Sequence, residues 1–204
     1  MSGVKLFRIA TWAAIAILAG LLIGFSGILP GTGRVDEPAG SGEARVGGPF
    51  TLTSHKGERF DNARLAGKPY LIFFGFTHCP DICPTTLLEL TDLMAELGSG
   101  ADRITPLFIT VDPERDTQQM LADYMTAFDE RIVALRGTPE ETDAAVKAFA
   151  AYYRKVPLEG GNYSMDHTAG VFMMDGKGRF SGVLDIHEPR EAVLAKLRRL
   201  IEAG

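Results

Sequence analysis

The unbroken apolar run Leu71-Ile72-Phe73-Phe74 leads straight into Phe76-Thr77-His78-Cys79-Pro80-Asp81-Ile82-Cys83-Pro84, and a helical pattern follows at once. No junction in the chain limits the fold more. A continuous apolar stretch of this length, stopped by Gly75, predicts a strand buried on both faces. A helix right after it makes a strand–turn–helix unit, which belongs to α/β architecture. The turn lifts two thiols to the rim of a sheet, close to a helix N-terminus, where the helix dipole favours thiolate over thiol. Cys79 and Cys83 are the only cysteines among 204 residues. Two thiolates four positions apart can close a disulfide or hold one soft metal ion.

Further elements follow from periodicity. Phe50-Thr51-Leu52-Thr53 and Glu58-Arg59-Phe60 flank Lys56-Gly57 and predict a small hairpin. Tyr70 to Gly75 is the buried strand. Residues 85–97 predict a helix with Leu87, Leu90, Met94 and Leu97 on one face. Leu107 to Val111 is a second buried strand. Asp116 or Thr117 caps a helix whose stripe is Met120, Leu121, Tyr124, Met125 and Phe128. Ile132 to Leu135 is a short strand, and Pro139 opens a helix carrying Val146, Phe149 and Tyr153. Gly170–Met174 and Phe180–Leu184 form a hairpin around Asp175-Gly176-Lys177-Gly178, and a last helix starts near Pro189. Strands alternating with helices, then an antiparallel pair, predict a mixed sheet with helices on both faces. The loops at residues 76–84 and 112–116 then share the carboxyl edge of the sheet, where α/β proteins place their sites.

The N-terminal part has a different composition. Ile9 to Leu29 are 21 residues without a charge, which predicts a single membrane-spanning helix. Lys5 and Arg8 are the only two of the 21 basic residues that precede it, so residues 1–8 are expected in the cytoplasm and the rest outside. The run exceeds a typical signal-peptide core and no A-x-A site follows, which favours a retained anchor over a cleaved leader. No Arg- and Ser-rich transit segment precedes the run, which points to a bacterial inner-membrane protein facing the periplasm. Residues 30–48 are rich in Gly and poor in large apolar side chains, and predict a flexible tether. Residues 49–204 form the folded domain. All 26 acidic residues stand beyond the anchor with the other 19 basic ones, with no basic stripe, which excludes a nucleic-acid partner.

Each candidate site residue has an ordinary reading beside a functional one. A Cys79–Cys83 disulfide would close a very short loop and gain little entropically. The spacing is also not the C-x-x-C of a thioredoxin redox motif. His167 stands 84 positions after Cys83, in Met165-Asp166-His167-Thr168. A lone loop histidine is ordinarily solvated, but the excursion Glu159-Gly160-Gly161-Asn162-Tyr163 could fold over the sheet edge and bring it in. Asp81 lies between the cysteines, where it could tune their charge or serve the helix dipole. His78 is an auxiliary candidate. His55 and His187 read as surface residues, Met173 and Met174 as strand packing, and Met165 as a weak candidate for passing a soft ion. Asp112-Pro113-Glu114-Arg115-Asp116-Thr117 lacks the central Gly and final Glu of an EF-hand and reads as a capped turn.

Three of these segments together resemble the Sco/SenC family. Gly75 to Pro84 is similar to its CPxxCP-type copper loop, Val111 to Thr117 to its second signature, and Asp166-His167-Thr168 to its third. They occur in the family's order, and the resemblance covers roughly residues 46–203. It implies a thioredoxin-like domain on a membrane tether that delivers copper to cytochrome c oxidase. It implies Cys79, Cys83 and His167 as metal ligands, with Asp81, Asp112, Arg115 and Asp166 as supporting residues. Two thiolates and an imidazole suit Cu(I) and accept Cu(II) with added ligands, whereas zinc would keep an open position. The implied partners are the oxidase copper-centre subunit, a periplasmic copper donor and a thiol reductant. The alternative is a thiol–disulfide oxidoreductase that keeps the oxidase copper-site cysteines reduced, using only Cys79 and Cys83. A thiol peroxidase ranks below both, because Thr77 stands two residues before Cys79 where that chemistry needs three.

Overall fold

The computed structural model describes residues 3–25 and 46–203, which fall into two units. The first contains one helix, α1 (Gly3–Phe25). It covers the expected membrane span only as far as Phe25. Residues 26–29, and the expected tether up to residue 45, lie outside the described residues. Among the described residues no helix is long and apolar enough to cross a membrane.

The second unit is built on a seven-stranded sheet. Its strands are β1 (Thr51–Ser54), β2 (Arg59–Asp61), β3 (Tyr70–Gly75), β4 (Thr105–Thr110), β5 (Val133–Arg136), β8 (Val171–Met174) and β9 (Phe180–Leu184), in the order β2-β1-β5-β4-β3-β8-β9. β3, β4 and β5 are parallel and all other pairings are antiparallel. Every residue of β3 is buried, as its unbroken apolarity predicted. Its alternating side chains serve two cores. Phe73 meets Phe108 on one face, and Phe108 in turn meets Tyr124 of α3 (Gln118–Met125). Phe74 meets Phe172 and Phe149 on the other, and Phe149 is the C-cap of α4 (Pro139–Ala148). Helices therefore cover both faces. Each buried Phe contributes about 2–3 kcal/mol of hydrophobic stabilisation.

Three helices differ from the sequence expectation, and the simplest case is α3, which stops at Met125 before it can carry Phe128. α2 runs Ile82–Leu97, so it starts three residues before the expected position and takes Cys83 and Pro84 into its first turn. Pro84 is tolerated there because a first-turn N–H has no intrahelical partner to lose. The Thr85 N–H donates to the Asp81 carbonyl at 3.1 Å and closes the turn. The helix after Pro139 ends before it can carry Tyr153. Ala150 takes a left-handed conformation (φ 49°), and the chain leaves as a strand. That strand, β6 (Tyr153–Pro157), pairs with β7 (Tyr163–His167) in a separate two-stranded hairpin. The glycine-rich excursion is the tip of this hairpin. A final helix, α5 (Arg190–Glu202), closes the unit and starts where Pro189 predicted it.

Candidate metal centre

β3 ends at Gly75, and the chain turns through Phe76 to Pro80 before α2 begins. The Cys79 N–H donates to the Phe76 carbonyl at 3.3 Å, which curls the loop back over the strand end. Cys83 is fully buried in the first turn of α2, while Cys79 is half-buried. The Cys83 N–H donates to Cys79 Sγ at 3.4 Å. Gly75 leaves room for this arrangement. A Cβ there would stand 2.8 Å from Cys83 Sγ and 2.7 Å from Phe108 Cε2. Both thiols are free.

His167 closes the third side. It ends β7, with Nε2 3.4 Å from Cys83 Sγ and Nδ1 3.1 Å from the Thr168 carbonyl. That carbonyl can accept an Nδ1 proton, which leaves the Nε2 lone pair for the thiols or a metal. The rings of Phe73 and Phe76 meet the imidazole edge-on at 6.1 Å and 5.8 Å. One ligand atom from each of Cys79, Cys83 and His167 lies within 4.8 Å of the other two. The pair of thiols and the imidazole that the sequence singled out are thus brought together.

Burial dominates the electrostatics. It pushes the Cys83 thiol strongly up, helped by Cys79 and Asp116 and only partly opposed by the Phe76 backbone. The expectation of a thiolate favoured at Cys83 thus meets burial as the leading influence, which favours the neutral thiol. A bound cation would reverse the balance, because a coordinated thiol gives up its proton. Burial also lowers the His167 pKa, against the Thr168 carbonyl and the Asp166 charge, so the imidazole is neutral at neutral pH and ready to ligate.

The supporting residues fall into two groups. Asp112, fully buried, pairs with Arg115 and accepts from the Tyr163 hydroxyl at 2.9 Å. Asp81 stands exposed at the N-cap of α2 with no side-chain cap bond. Asp166 points away from the centre and pairs with Arg154 at 2.8 Å, because adjacent strand residues face opposite sides. His78 is exposed, with Nδ1 3.0 Å from Thr77 Oγ1 and 3.6 Å from Asp116. Met165 is buried in the core, which removes it as a carrier of a passing ion. His55 is not a plain surface residue, since its Nδ1 accepts from the Ala134 N–H at 3.1 Å. Sequence reasoning missed the larger part of Asp116. Its buried carboxylate accepts from the Thr77 N–H (3.0 Å), Thr77 Oγ1 (2.6 Å) and Thr110 Oγ1 (2.5 Å), and so ties the cysteine loop to β4. Tyr163 and Phe76 were missed as well. The one usable signal was that Asp112 and Asp116 both follow a parallel strand beside the one that feeds the cysteines.

The family description SCO1/SenC matches residues 38–202. The chain belongs to the SCO1/SenC family. Protein SenC of Rhodobacter capsulatus is 35% identical over 190 residues, 90% of this chain and 83% of that protein. The human mitochondrial SCO1 homologue is 42% identical over 142 residues, 68% of this chain but 47% of that protein. The chain spans about half the length of the mitochondrial relatives it matches first. Among solved structures, Bradyrhizobium japonicum ScoI with copper bound aligns with a TM-score of 0.72 at 42% identity, over 76% of this chain and 99% of that one. The mixed sheet flanked by helices is thus the thioredoxin-like Sco fold.

Proposed function

We propose that this chain is a copper metallochaperone that binds one copper ion through Cys79, Cys83 and His167 and passes it to the copper centre of a respiratory cytochrome c oxidase subunit. One observation carries the reading: the two sulfurs and an imidazole nitrogen lie within 4.8 Å of one another at an accessible sheet edge. Thiolates are soft ligands and suit Cu(I), and the imidazole widens the set toward Cu(II). Burial holds Cys83 protonated in the free protein, so copper uptake releases protons. Half-exposed Cys79 is the ligand an acceptor thiolate can reach first, and the copper passes by stepwise exchange of ligands. The copper-bound relative at 42% identity supports the same cargo.

A second reading is thiol–disulfide exchange, favoured by two free cysteines in contact through the Cys83 N–H and Cys79 Sγ. The Cys79 thiolate would attack a partner disulfide and release one partner thiol. The Cys83 thiol would then attack Cys79 Sγ, pass its proton to the departing second partner sulfur, and leave a Cys79–Cys83 disulfide. The partner gains the two electrons, and a thiol reductant must return them to the chain.

The uncharged run Ile9–Leu29 behind Lys5 and Arg8 supports a membrane anchor with the domain outside the cytoplasm, facing the periplasm of a bacterial host, where a copper donor would meet it. A reporter enzyme active only outside the cytoplasm, fused after residue 204, should be active. Activity confined to a cytoplasmic reporter would reverse the orientation.

Copper uptake tests the main reading. The reduced full chain in detergent should bind one copper, and the Cys79–Cys83 disulfide form almost none. Equal uptake by both forms would rule the site out. His167→Ala should weaken copper binding at least about tenfold, yet exchange disulfides with a small reagent at nearly the parent rate. Cells that carry only His167→Ala should lack oxidase copper. Normal oxidase copper there, with loss in Cys79→Ser, would replace the chaperone by the reductase.

A further inference from the structure

The ligands arrive on two segments that the sheet does not join. Cys79 and Cys83 come from the turn after β3. His167 comes from a hairpin whose two strands, among the described residues, pair only with each other. β7 is tied to the sheet through residues 168–170, which lead into β8 beside β3, and through Met165 in the core, but among the described residues no strand pairing fixes the hairpin on the cysteine side. The loop between β4 and α3, residues 111–117, contributes no ligand and grips both segments. Asp116 holds the cysteine turn through the Thr77 N–H and hydroxyl. Arg115, one position earlier, holds the hairpin.

We propose that Arg115 is the positioning residue of this centre: with Asp112 and Tyr163 it forms a latch that holds the β6–β7 hairpin, and so His167, at ligating distance from the cysteines. The proposal rests on the copper reading for what that distance serves. Nη1 of Arg115 donates to the Tyr163 carbonyl at 2.8 Å and reaches Asn162 Oδ1 at 3.4 Å. The guanidinium lies over the Tyr163 ring at 3.7 Å from its centroid. Nε pairs with the buried Asp112 carboxylate, and the Tyr163 hydroxyl donates to the other oxygen of the same carboxylate at 2.9 Å. The three side chains thus form a closed ring of contacts across the gap between loop and hairpin. Charge-assisted bonds and cation–π stacking of this kind strengthen when withdrawn from water. Arg115 also lies 5.8 Å from the Phe76 ring, and Phe76 meets the His167 imidazole edge-on. One guanidinium therefore touches the hairpin and the start of the cysteine turn together.

The face of β7 explains why a latch at Tyr163 acts on His167. Side chains two and four positions apart on a strand share a face. Tyr163, Met165 and His167 follow this rule: the first is latched, the second is buried in the core and the third is the ligand. Asp166 occupies the opposite face with Arg154, in an exposed pair that contacts neither the latch nor the thiols. Lys155 pairs with Glu114 in an exposed salt bridge and lies 4.9 Å from the Tyr163 ring, so it straps the latch from the solvent side.

The test compares Tyr163→Phe, Arg115→Met and Arg115→Lys with the parent in the full chain in detergent, with Arg154→Ala as a control on the other face. Two readings are taken. Amide hydrogen exchange of the β6–β7 hairpin is measured on reduced, metal-free protein. Cu(I) affinity is measured by competition with a chromogenic chelator, with the nitrogen hyperfine signal of the Cu(II) form reporting the imidazole. Tyr163→Phe and Arg115→Met should speed hairpin exchange and weaken Cu(I) binding at least about tenfold, with the nitrogen signal reduced. Arg115→Lys should not rescue either, because an ammonium keeps the charge opposite Asp112 but lacks the fork and flat face. Arg154→Ala should stay within about twofold of the parent on both readings. Rescue by Arg115→Lys would reduce Arg115 to charge balance and overturn the proposal. So would an Arg154→Ala loss equal to that of the latch variants, or parent-like exchange in Tyr163→Phe. If Arg115→Met fails to fold, Tyr163→Phe removes only one hydroxyl and decides alone. A parent that takes up no copper would sink the copper reading, while hairpin exchange in metal-free protein would still decide the latch.

Discussion

Gly75 shows how closely the strand end and the thiol are fitted. It needs no unusual backbone angle there; what it supplies is the missing Cβ. An added methyl would meet Phe108 Cε2 at 2.7 Å, Cys83 Sγ at 2.8 Å and Phe73 Cε1 at 3.3 Å. Phe73 and Phe108 are buried core rings and cannot withdraw freely. Gly75→Ala should therefore cost about 1–3 kcal/mol through overpacking. It should also displace the Cys83 sulfur from His167. Urea denaturation would read the first effect and copper competition the second. Unchanged stability in Gly75→Ala would mean that the strand end yields more readily than its burial indicates. At this scale Cys79, Cys83 and His167 were readable as chemical types, but the tight seat for Cys83 was not.

The elements near the centre are held by local chemistry that can be tested apart from copper. α4 begins with a capping box: Thr138 Oγ1 accepts from the Glu141 N–H at 3.2 Å, and Glu141 Oε2 accepts from the Thr138 N–H at 2.9 Å. Pro139 follows at the first helical position. Thr138→Ala should lower stability by about 1 kcal/mol and leave copper affinity at the parent value, since the cap does not touch the centre. A copper defect in this variant would mean that α4 transmits strain to the site through Phe149 and Phe74. At the same scale, the β6–β7 hairpin has no clear mark in the sequence. β6 and β7 carry Arg154, Lys155, Ser164 and Asp166 among few apolar residues, so neither shows a buried-strand pattern. Among the described residues they pair with each other and with no strand of the main sheet, which leaves only short polar runs to mark them.

Across the whole molecule, two partly buried histidines tie stability to pH. Burial is the leading cause that lowers His55 and His167 from the ordinary value of 6.5. The unfolded chain therefore takes up these protons before the folded one does. Their contribution is complete above about pH 6.5 and is lost as pH falls from there through the folded values. Carboxylates act lower on the scale, Asp129 and Glu141 among them. The hydrogen bond from Arg131 holds Asp129 below its ordinary value, and that from Arg59 does the same for Glu141. Their contribution is present above the ordinary carboxylate range and disappears as pH falls through the folded values. Metal-free protein should thus lose stability in two stages, the first beginning near pH 6.5. His167→Gln and His55→Gln should each flatten the first stage, as read by urea midpoints across that range. A midpoint that stays level down to about pH 5 would count against it.

What the sequence determined by itself was local. The apolar run at 70–75, the helical stripes and the turn residues specify elements because hydrophobic periodicity and backbone preference act within a few residues. The fold class followed from their order, and the pair Cys79/Cys83 was marked by sitting at a strand–helix junction. Only the tertiary structure decided what depends on distance through space. It brought His167 across 84 positions to 3.4 Å from Cys83. It turned Asp166 outward, made Asp116 the tie between Thr77 and Thr110, and set Arg115 against Tyr163, 48 positions away. It also set burial against a thiolate at Cys83, because desolvation exists only once the neighbouring layers have closed over the sulfur.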